Sequence, residues 1–175
     1  MAINLMKNNR RSGFTLIEVL LYLAILSVVA LLLSAFLPTV IEARVKHKAI
    51  EEVESQGMQA MSVMLQSVRN ASSIAAPAVG ASGTTLNLVM ASSTINPTIF
   101  DLTAAGTLRL KEGSALAMPL TNQRVTTTAL TFTNASATST SGLVTIRLTL
   151  AYATSSARQM YVYQKTFYGS ASLKL

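Results

Sequence analysis

The chain has 175 residues, half of them hydrophobic, with no cysteine and a formal net charge of +7 from fourteen basic and seven acidic residues. This length suits one modest domain with an appended segment, and the absence of cysteine excludes disulfides as a source of stability. Because only 12% of the residues are charged, part of the hydrophobicity is expected to lie outside a water-exposed fold.

A long apolar run follows a short basic segment near the N-terminus. From Val19 to Leu37 no residue is charged, and these 19 positions would form roughly 28 Å of helix at about 1.5 Å per residue. This length is close to the roughly 30 Å hydrocarbon thickness of a bilayer. Lys7, Arg10 and Arg11 precede the run, and such basic flanks favour the cytoplasmic side. The sequence therefore predicts a membrane-spanning helix with the following chain exported.

A cleaved secretory signal is the main alternative for this segment. Such signals have an apolar core of about 7 to 15 residues followed by a small-x-small cleavage site. Here the run is longer, and it continues through Phe36, Leu37 and Pro38 into a charged segment with helical character. We therefore expect the run to be retained.

Residues 38–70 are predicted to continue the helix. Apolar or small residues recur there at steps of three and four, which places them on one face that needs a partner. These stripe residues are Ile50, Val53, Gly57, Met61, Met64 and Val68. Glu42 and Lys46 have the i, i+4 spacing that supports a helix on its solvated side. Pro38 lacks an N–H and its ring crowds the preceding turn, so we expect a helix kink or local loosening there.

The composition changes near Ala71, where NASSIAAPAVGASG is small, uncharged and interrupted by Pro and Gly. This predicts that the helix ends at Asn70 and that residues 71–84 form a connector. The alternating segments that predict strands are 85–90, 98–102, 107–111, 125–133, 143–153 and 158–169. TAAG between the second and third predicts a hairpin turn. The predicted fold class is α+β, with a long N-terminal helix packed on an antiparallel sheet in a β-rich domain over 85–175.

The residue inventory offers little for catalysis. His47 is the one histidine, and Asp101 and Glu112 are the only acids after Ala71, so neither a metal cluster nor a catalytic triad can be assembled. His47 lies among basic residues and is interpreted as a solvated surface side chain. We expect no enzymatic activity, no metal site and no cofactor.

Nucleic-acid binding is an alternative interpretation of the β-rich region. A basic surface with aromatic residues nearby can hold a phosphate backbone and stack bases. The basic residues are Arg109, Lys111, Arg124, Arg147, Arg158, Lys165 and Lys174. The competing explanation is that such charges keep a sheet soluble and its edges unpaired. Without a basic run or a recognised motif, DNA remains a weakly supported partner.

The stretch GFTLIEVLLYLAIL, which begins at Gly13 after a short basic leader, resembles the N-terminal motif of type IV prepilins and type II secretion pseudopilins. The matching residues are Gly13, Phe14, Thr15, Leu16, Ile17 and Glu18, followed by the apolar helix. The resemblance implies that a prepilin peptidase removes residues 1–13 as a leader and methylates the new N-terminus at Phe14. It also implies that Glu18 of an incoming subunit pairs with the Phe14 amine of a neighbour.

The resemblance implies a pilin-like lollipop, with 14–37 as the transmembrane and assembly helix. The expected partners are the peptidase and methyltransferase, other pilin or pseudopilin subunits, the inner-membrane assembly platform, and membrane lipid before assembly. The protein would be a single-pass protein of the bacterial cytoplasmic membrane with an exported C-terminal domain. It would then enter an extracellular pilus or a periplasmic pseudopilus.

Three departures from the major subunits favour a minor subunit, one that initiates a filament or lies at its tip. Many major pilins have a proline where this chain has Ala35, whereas here the proline is Pro38. The C-terminal cysteine pair of many major pilins is absent, and no acidic cluster suggests the calcium site of major pseudopilins. A major pilin of an unusual lineage and a membrane-anchored binding module outside any filament are the alternatives.

Overall fold

The computed structural model describes residues 13–137, 142–153 and 163–174. The leader residues Lys7, Arg10 and Arg11 lie outside these ranges, as does the start of the last predicted strand. In the described part, one helix, α1 (Leu16–Asn70), is followed by nine strands. The strands are β1 (Ala71–Ala76), β2 (Ser82–Gly83), β3 (Leu86–Met90), β4 (Thr98–Leu102), β5 (Leu108–Glu112), β6 (Met118–Pro119), β7 (Val125–Asn134), β8 (Leu143–Tyr152) and β9 (Gln164–Ser172).

The chain divides into two compact units, Met1–Ala43 and Arg44–Leu175. Within the described part of the first unit, α1 carries apolar side chains that are exposed on all sides. Among the described residues, α1 is the one helix long and apolar enough to cross a bilayer, and its most apolar stretch is not buried within the chain. A helix that is hydrophobic all round and uncovered by its own chain needs lipid or other helices around it.

In the second unit, the predicted apolar stripe of α1 is buried, so the interpretation of that face is confirmed. Ile50 is half-buried, whereas its neighbour Ala49 is buried instead. The buried residues of this face are Ala49, Val53, Gly57, Ala60, Met61, Met64 and Val68. Most of them share one hydrophobic core with Phe100 and Phe132 from different strands. The stripe therefore has the partner that its pattern required.

The strands form two antiparallel sheets, which corrects the prediction of one meander. One sheet has the order β1-β3-β4-β5-β6 and the other has the order β2-β7-β8-β9. The first strand pair of the second sheet joins segments that are far apart in the sequence, with Ser82 of β2 opposite Thr133 of β7. Short loops between consecutive strands do not distinguish a hairpin from a step into another sheet, and the sequence carried no signal for that distant pair.

The prediction that residues 71–84 form only a connector is wrong, because this range contains two strands. β1 starts at the residue after α1 and pairs antiparallel with β3, with Ile74 opposite Leu88. Two further residues of the connector form β2. The small uncharged side chains of this segment have weak β-propensity, and pairing with neighbouring strands overrides that preference.

Among the remaining described strands, β3, β4, β5, β7 and β8 lie where strands were predicted, β9 overlaps only the end of its predicted strand and runs beyond it, and β6 was not predicted. The predicted hairpin turn between β4 and β5 is present: the Gly106 N–H donates to the Thr103 carbonyl at 2.9 Å, and Gly106 has a φ of 79°. This backbone conformation favours glycine because it has no Cβ. Along β8 the side chains that point to the core are Val144, Ile146, Leu148 and Leu150. The α+β fold class is confirmed.

Candidate functional site

The predicted cleavage site lies just before the first residue of α1. Gly13, Phe14 and Thr15 are exposed and lie outside the helix. The Thr15 carbonyl accepts hydrogen bonds from the N–H groups of Glu18 at 3.1 Å and Val19 at 3.3 Å, as an N-cap residue does. The Gly13–Phe14 peptide bond is therefore not protected by helical hydrogen bonding.

Packing within the chain gives no reason for a glycine at position 13. A Cβ placed on Gly13 would meet no atom within 4 Å, and its φ is not in the left-handed region. The fold itself would therefore accept a side chain at this position.

Glu18 is shielded more than any other residue around it. Of residues 13–39, Glu18 alone is half-buried, and all the others are exposed. The Tyr22 hydroxyl donates to Glu18 Oε1 at 3.0 Å. The rings of Phe14 and Tyr22 meet edge to face, with centroids 6.4 Å apart at 70°. Glu18 and Tyr22 are four residues apart in α1 and therefore lie on one side of the helix, and Phe14, just before the helix, contacts the Tyr22 ring.

The position of Glu18 lowers the cost of a carboxylate at the edge of an apolar segment. On membrane-insertion scales an acid costs about +2.5 to 3.5 kcal/mol at a helix centre, and less near an end. Glu18 lies in the first turn of α1, where the positive end of the helix dipole favours a negative charge. The Tyr22 hydroxyl adds one hydrogen bond. Sequence reasoning missed Tyr22, although its i, i+4 spacing from Glu18 was a signal for contact.

The other predicted residues of this segment are not brought to the Glu18 site. Pro38 lies inside α1, which continues on both sides of it, and the predicted kink remains a prediction. Next to Pro38, a side chain bonds within one turn of the helix: the Thr39 hydroxyl donates to the Phe36 carbonyl at 2.7 Å.

A polar cluster fastens β9 to α1 in the second unit. Lys165 Nζ donates to Glu54 Oε1 at 2.7 Å, and the Tyr163 hydroxyl donates to the same oxygen at 3.3 Å. The hydrogen bond from Lys165 and its positive charge lower the pKa of the Glu54 carboxyl. The same hydrogen bond raises the pKa of Lys165. These contacts hold helix and strand together, and both partners belong to the chain itself.

Several basic residues that a nucleic-acid surface would need are already paired. Arg109 donates to both carboxylate oxygens of Asp101, at 2.8 Å from Nε and 2.7 Å from Nη2, and this bond raises the pKa of Arg109. Arg124 lies 3.7 Å from Glu52, and Lys165 is paired with Glu54. Acidic neighbours therefore offset three of the seven basic charges.

Neither a groove beside α1 nor any metal-binding cluster among the described residues provides a site with converging reactive groups. A groove of about 370 Å³ lies beside the Glu52–Arg124 pair and carries both signs of charge; its lining is Lys48, Glu51, Glu52, Ser55, Arg124 and Tyr152. The described residues hold no group of three or more His, Cys, Asp or Glu that could bind a metal ion. His47 is exposed.

Comparison with known proteins identifies the N-terminal segment. A model of the prokaryotic N-terminal methylation motif matches residues 8–34. This is the leader motif of type IV prepilins and pseudopilins, and the chain carries it in its N-terminal segment. No curated protein and no solved structure matches the chain. The motif and the long apolar helix fit a membrane-anchored protein.

Proposed function

We propose that the protein is a structural subunit of a type IV pilus or of a type II secretion-like pseudopilus, and that it is a minor subunit at the start or tip of the filament. The observation that carries the proposal is the methylation motif matched over residues 8–34, whose apolar part from Leu16 onward lies in a helix that its own chain leaves exposed. The exposed Gly13–Phe14 bond before that helix supports processing at this position.

Processing creates the charge that Glu18 needs. Removal of residues 1–13 frees an α-amine on Phe14, and an α-amine is largely protonated near neutral pH, with or without one methyl group. A neighbour's Phe14 ammonium then pairs with Glu18 of the incoming subunit. In a membrane such a pair forms with little competition from water, and a polar pair inside an apolar bundle can set the register between helices.

The apolar part of α1 has two successive environments in this proposal. Lipid surrounds it while the subunit waits in the cytoplasmic membrane, where the assembly platform takes it up. The helices of other subunits surround it in the filament. The exported domain is expected to stay folded in both environments. The buried stripe of α1 in the second unit packs into a core that is formed within one chain.

The assignment as a minor subunit rests on what the sequence lacks relative to major subunits. There is no cysteine in the chain, so the C-terminal pair of many major pilins is absent. The alternative role as a DNA-binding module draws little support from the charges, since Arg109, Arg124 and Lys165 each have an acidic partner.

The proposal is tested by producing the full chain in bacteria with and without an active prepilin peptidase. We expect a shorter form only with the peptidase, and we expect a Gly13→Val variant to stay at full length. Filaments sheared from the cells, or pseudopili, should then contain the shorter form at low abundance relative to a main subunit. High abundance would show a major pilin. A chain of one length in both strains, absent from filaments, would show a membrane-anchored module instead.

A further inference from the structure

Tyr22 holds one oxygen of the Glu18 carboxylate and leaves the other available. Its hydroxyl donates to Oε1 at 3.0 Å, and no second side chain of the described residues donates to Glu18. The ring of Tyr22 meets that of Phe14 edge to face, and Glu18 is the one half-buried residue of 13–39. A carboxylate has room for several donors, so the bond to Tyr22 does not block a second partner.

A simpler explanation of Tyr22 is that it anchors the helix at the membrane interface. Tyrosine is enriched there because its hydroxyl reaches water while its ring lies in the apolar layer. Anchoring requires no contact with Glu18, whereas here the hydroxyl is directed back along the helix to the carboxylate four residues earlier. The two explanations therefore differ in whether Tyr22 and Glu18 depend on each other.

We infer that Tyr22 is a positioning residue for the assembly contact: it fixes the Glu18 carboxylate through Oε1 so that Oε2 receives the ammonium group of a neighbouring subunit. The inference rests on the proposed filament function. In the lipid-embedded subunit, the hydroxyl also provides a hydrogen bond to an acid that has no charged partner yet. In the filament, a carboxylate already held in one rotamer loses less conformational freedom on pairing.

The contact itself is tested on the full chain in phospholipid nanodiscs with carbon-13 labels on glutamate and tyrosine. Tyr22→Phe removes only the hydroxyl and is expected to move the carboxyl resonance of Glu18. Glu18→Gln is expected to move the resonance of the Tyr22 ring carbon that bears the oxygen. Ser27→Ala is the matched control, because it removes another hydroxyl of the same helix, one that donates to the Ala24 carbonyl at 2.8 Å. It should move neither resonance.

The consequence for assembly is tested in cells with the same variants. We expect Tyr22→Phe to be cut and methylated as in the unchanged protein but to enter filaments about fivefold less, the scale of one modest hydrogen bond. Ser27→Ala should assemble normally. Unchanged resonances in both reciprocal variants, or normal assembly of Tyr22→Phe, would overturn the inference. Failure of the proposed function is distinguishable, since the unchanged protein would then keep Met1 whatever the nanodisc spectra show.

Discussion

Gly57 of α1 lies directly against the ring of Phe167 on β9. A Cβ placed on Gly57 would lie far inside van der Waals contact with the ring atoms Cε2 and Cζ of Phe167. Gly57→Ala should therefore lower the free energy of unfolding of the second unit by about 1 to 2 kcal/mol: overpacking costs about 1 to 3 kcal/mol, and better helix propensity returns up to about 1 kcal/mol. Denaturant unfolding of the full chain in detergent measures this difference.

The control for this prediction is Gln59→Ala, a change on an exposed position of the same helix. It should leave stability within about 0.5 kcal/mol of the original value or raise it slightly. Adding Phe167→Leu to Gly57→Ala should recover part of the loss, because the two sites share one contact. Equal stability of Gly57→Ala and the unchanged protein would show that Phe167 does not press on this helix.

The ion pair between Glu54 and Lys165 predicts a pH dependence of stability. The hydrogen bond and charge of Lys165 lower the pKa of Glu54 in the folded state below 4.5. The unfolded chain therefore takes up the proton first as pH falls, so the stabilisation is complete above about pH 4.5 to 5 and is lost as pH falls through the lowered pKa. Lys165 has the opposite sign: its pKa is raised above 10.5, so its stabilisation is lost only in strong alkali.

Glu54→Gln tests this sign directly. The variant should be less stable than the unchanged protein at neutral pH, and the difference should shrink as the solution is acidified below about pH 4.5. Glu51→Gln is the control, since Glu51 is an exposed acid of the same helix with no ion pair in the described part of the chain. Denaturation midpoints across the acid range give the measurement. A difference between Glu54→Gln and the original that is independent of pH would contradict the pairing.

Asn134 begins an Asn-Ala-Ser sequence, yet its side chain is part of the fold. It is 2% exposed; its Nδ2 donates to the Pro77 carbonyl at 2.9 Å, and its Oδ1 accepts from the Ser136 N–H at 3.2 Å. Asn134→Ala should cost about 1 to 3 kcal/mol of stability, because it leaves buried polar groups without partners. Asn70→Ala, at the exposed Asn of the other such sequence, should cost much less. Thermal unfolding compares the two, and equal losses would contradict a structural role for Asn134.

The pairing role of Glu18 predicts a separation of processing from assembly. Glu18→Ala should still lose its leader, because the Gly13–Phe14 bond stays exposed outside the helix. It should fail to enter filaments, since the neighbour's ammonium has no carboxylate to meet. Glu42→Ala, which removes an exposed acid beyond the apolar run, should assemble normally. Normal incorporation of Glu18→Ala would refute the pairing.

Local patterns in the sequence predicted much of the fold. The stripe with steps of three and four marked the buried face of α1, and the change of composition after Asn70 marked the end of the helix. Strand β4 lies where its alternating pattern placed it, and the hairpin turn before β5 carries its Gly106. Each of these signals depends on residues close together in the chain, which is why the sequence alone could show them.

The features that sequence reasoning missed depend on distant or atypical partners. β1 consists of small residues that form a strand because β3 offers a pairing edge, and the Ser82–Thr133 pair that opens the second sheet joins segments far apart in the chain. At the candidate site, Gly13, Phe14 and Glu18 were predicted from the motif. The Tyr22 contact with Glu18 was not, because the aromatic residue was counted only as part of the apolar run.

Mass spectrometry of the mature N-terminal peptide, from cells with an active prepilin peptidase, decides whether the chain is a prepilin-type subunit. We expect a peptide that begins at Phe14 and carries one additional methyl group on its α-amine. A chain in the same cells that still begins at Met1, with no methylated Phe14, would contradict this assignment.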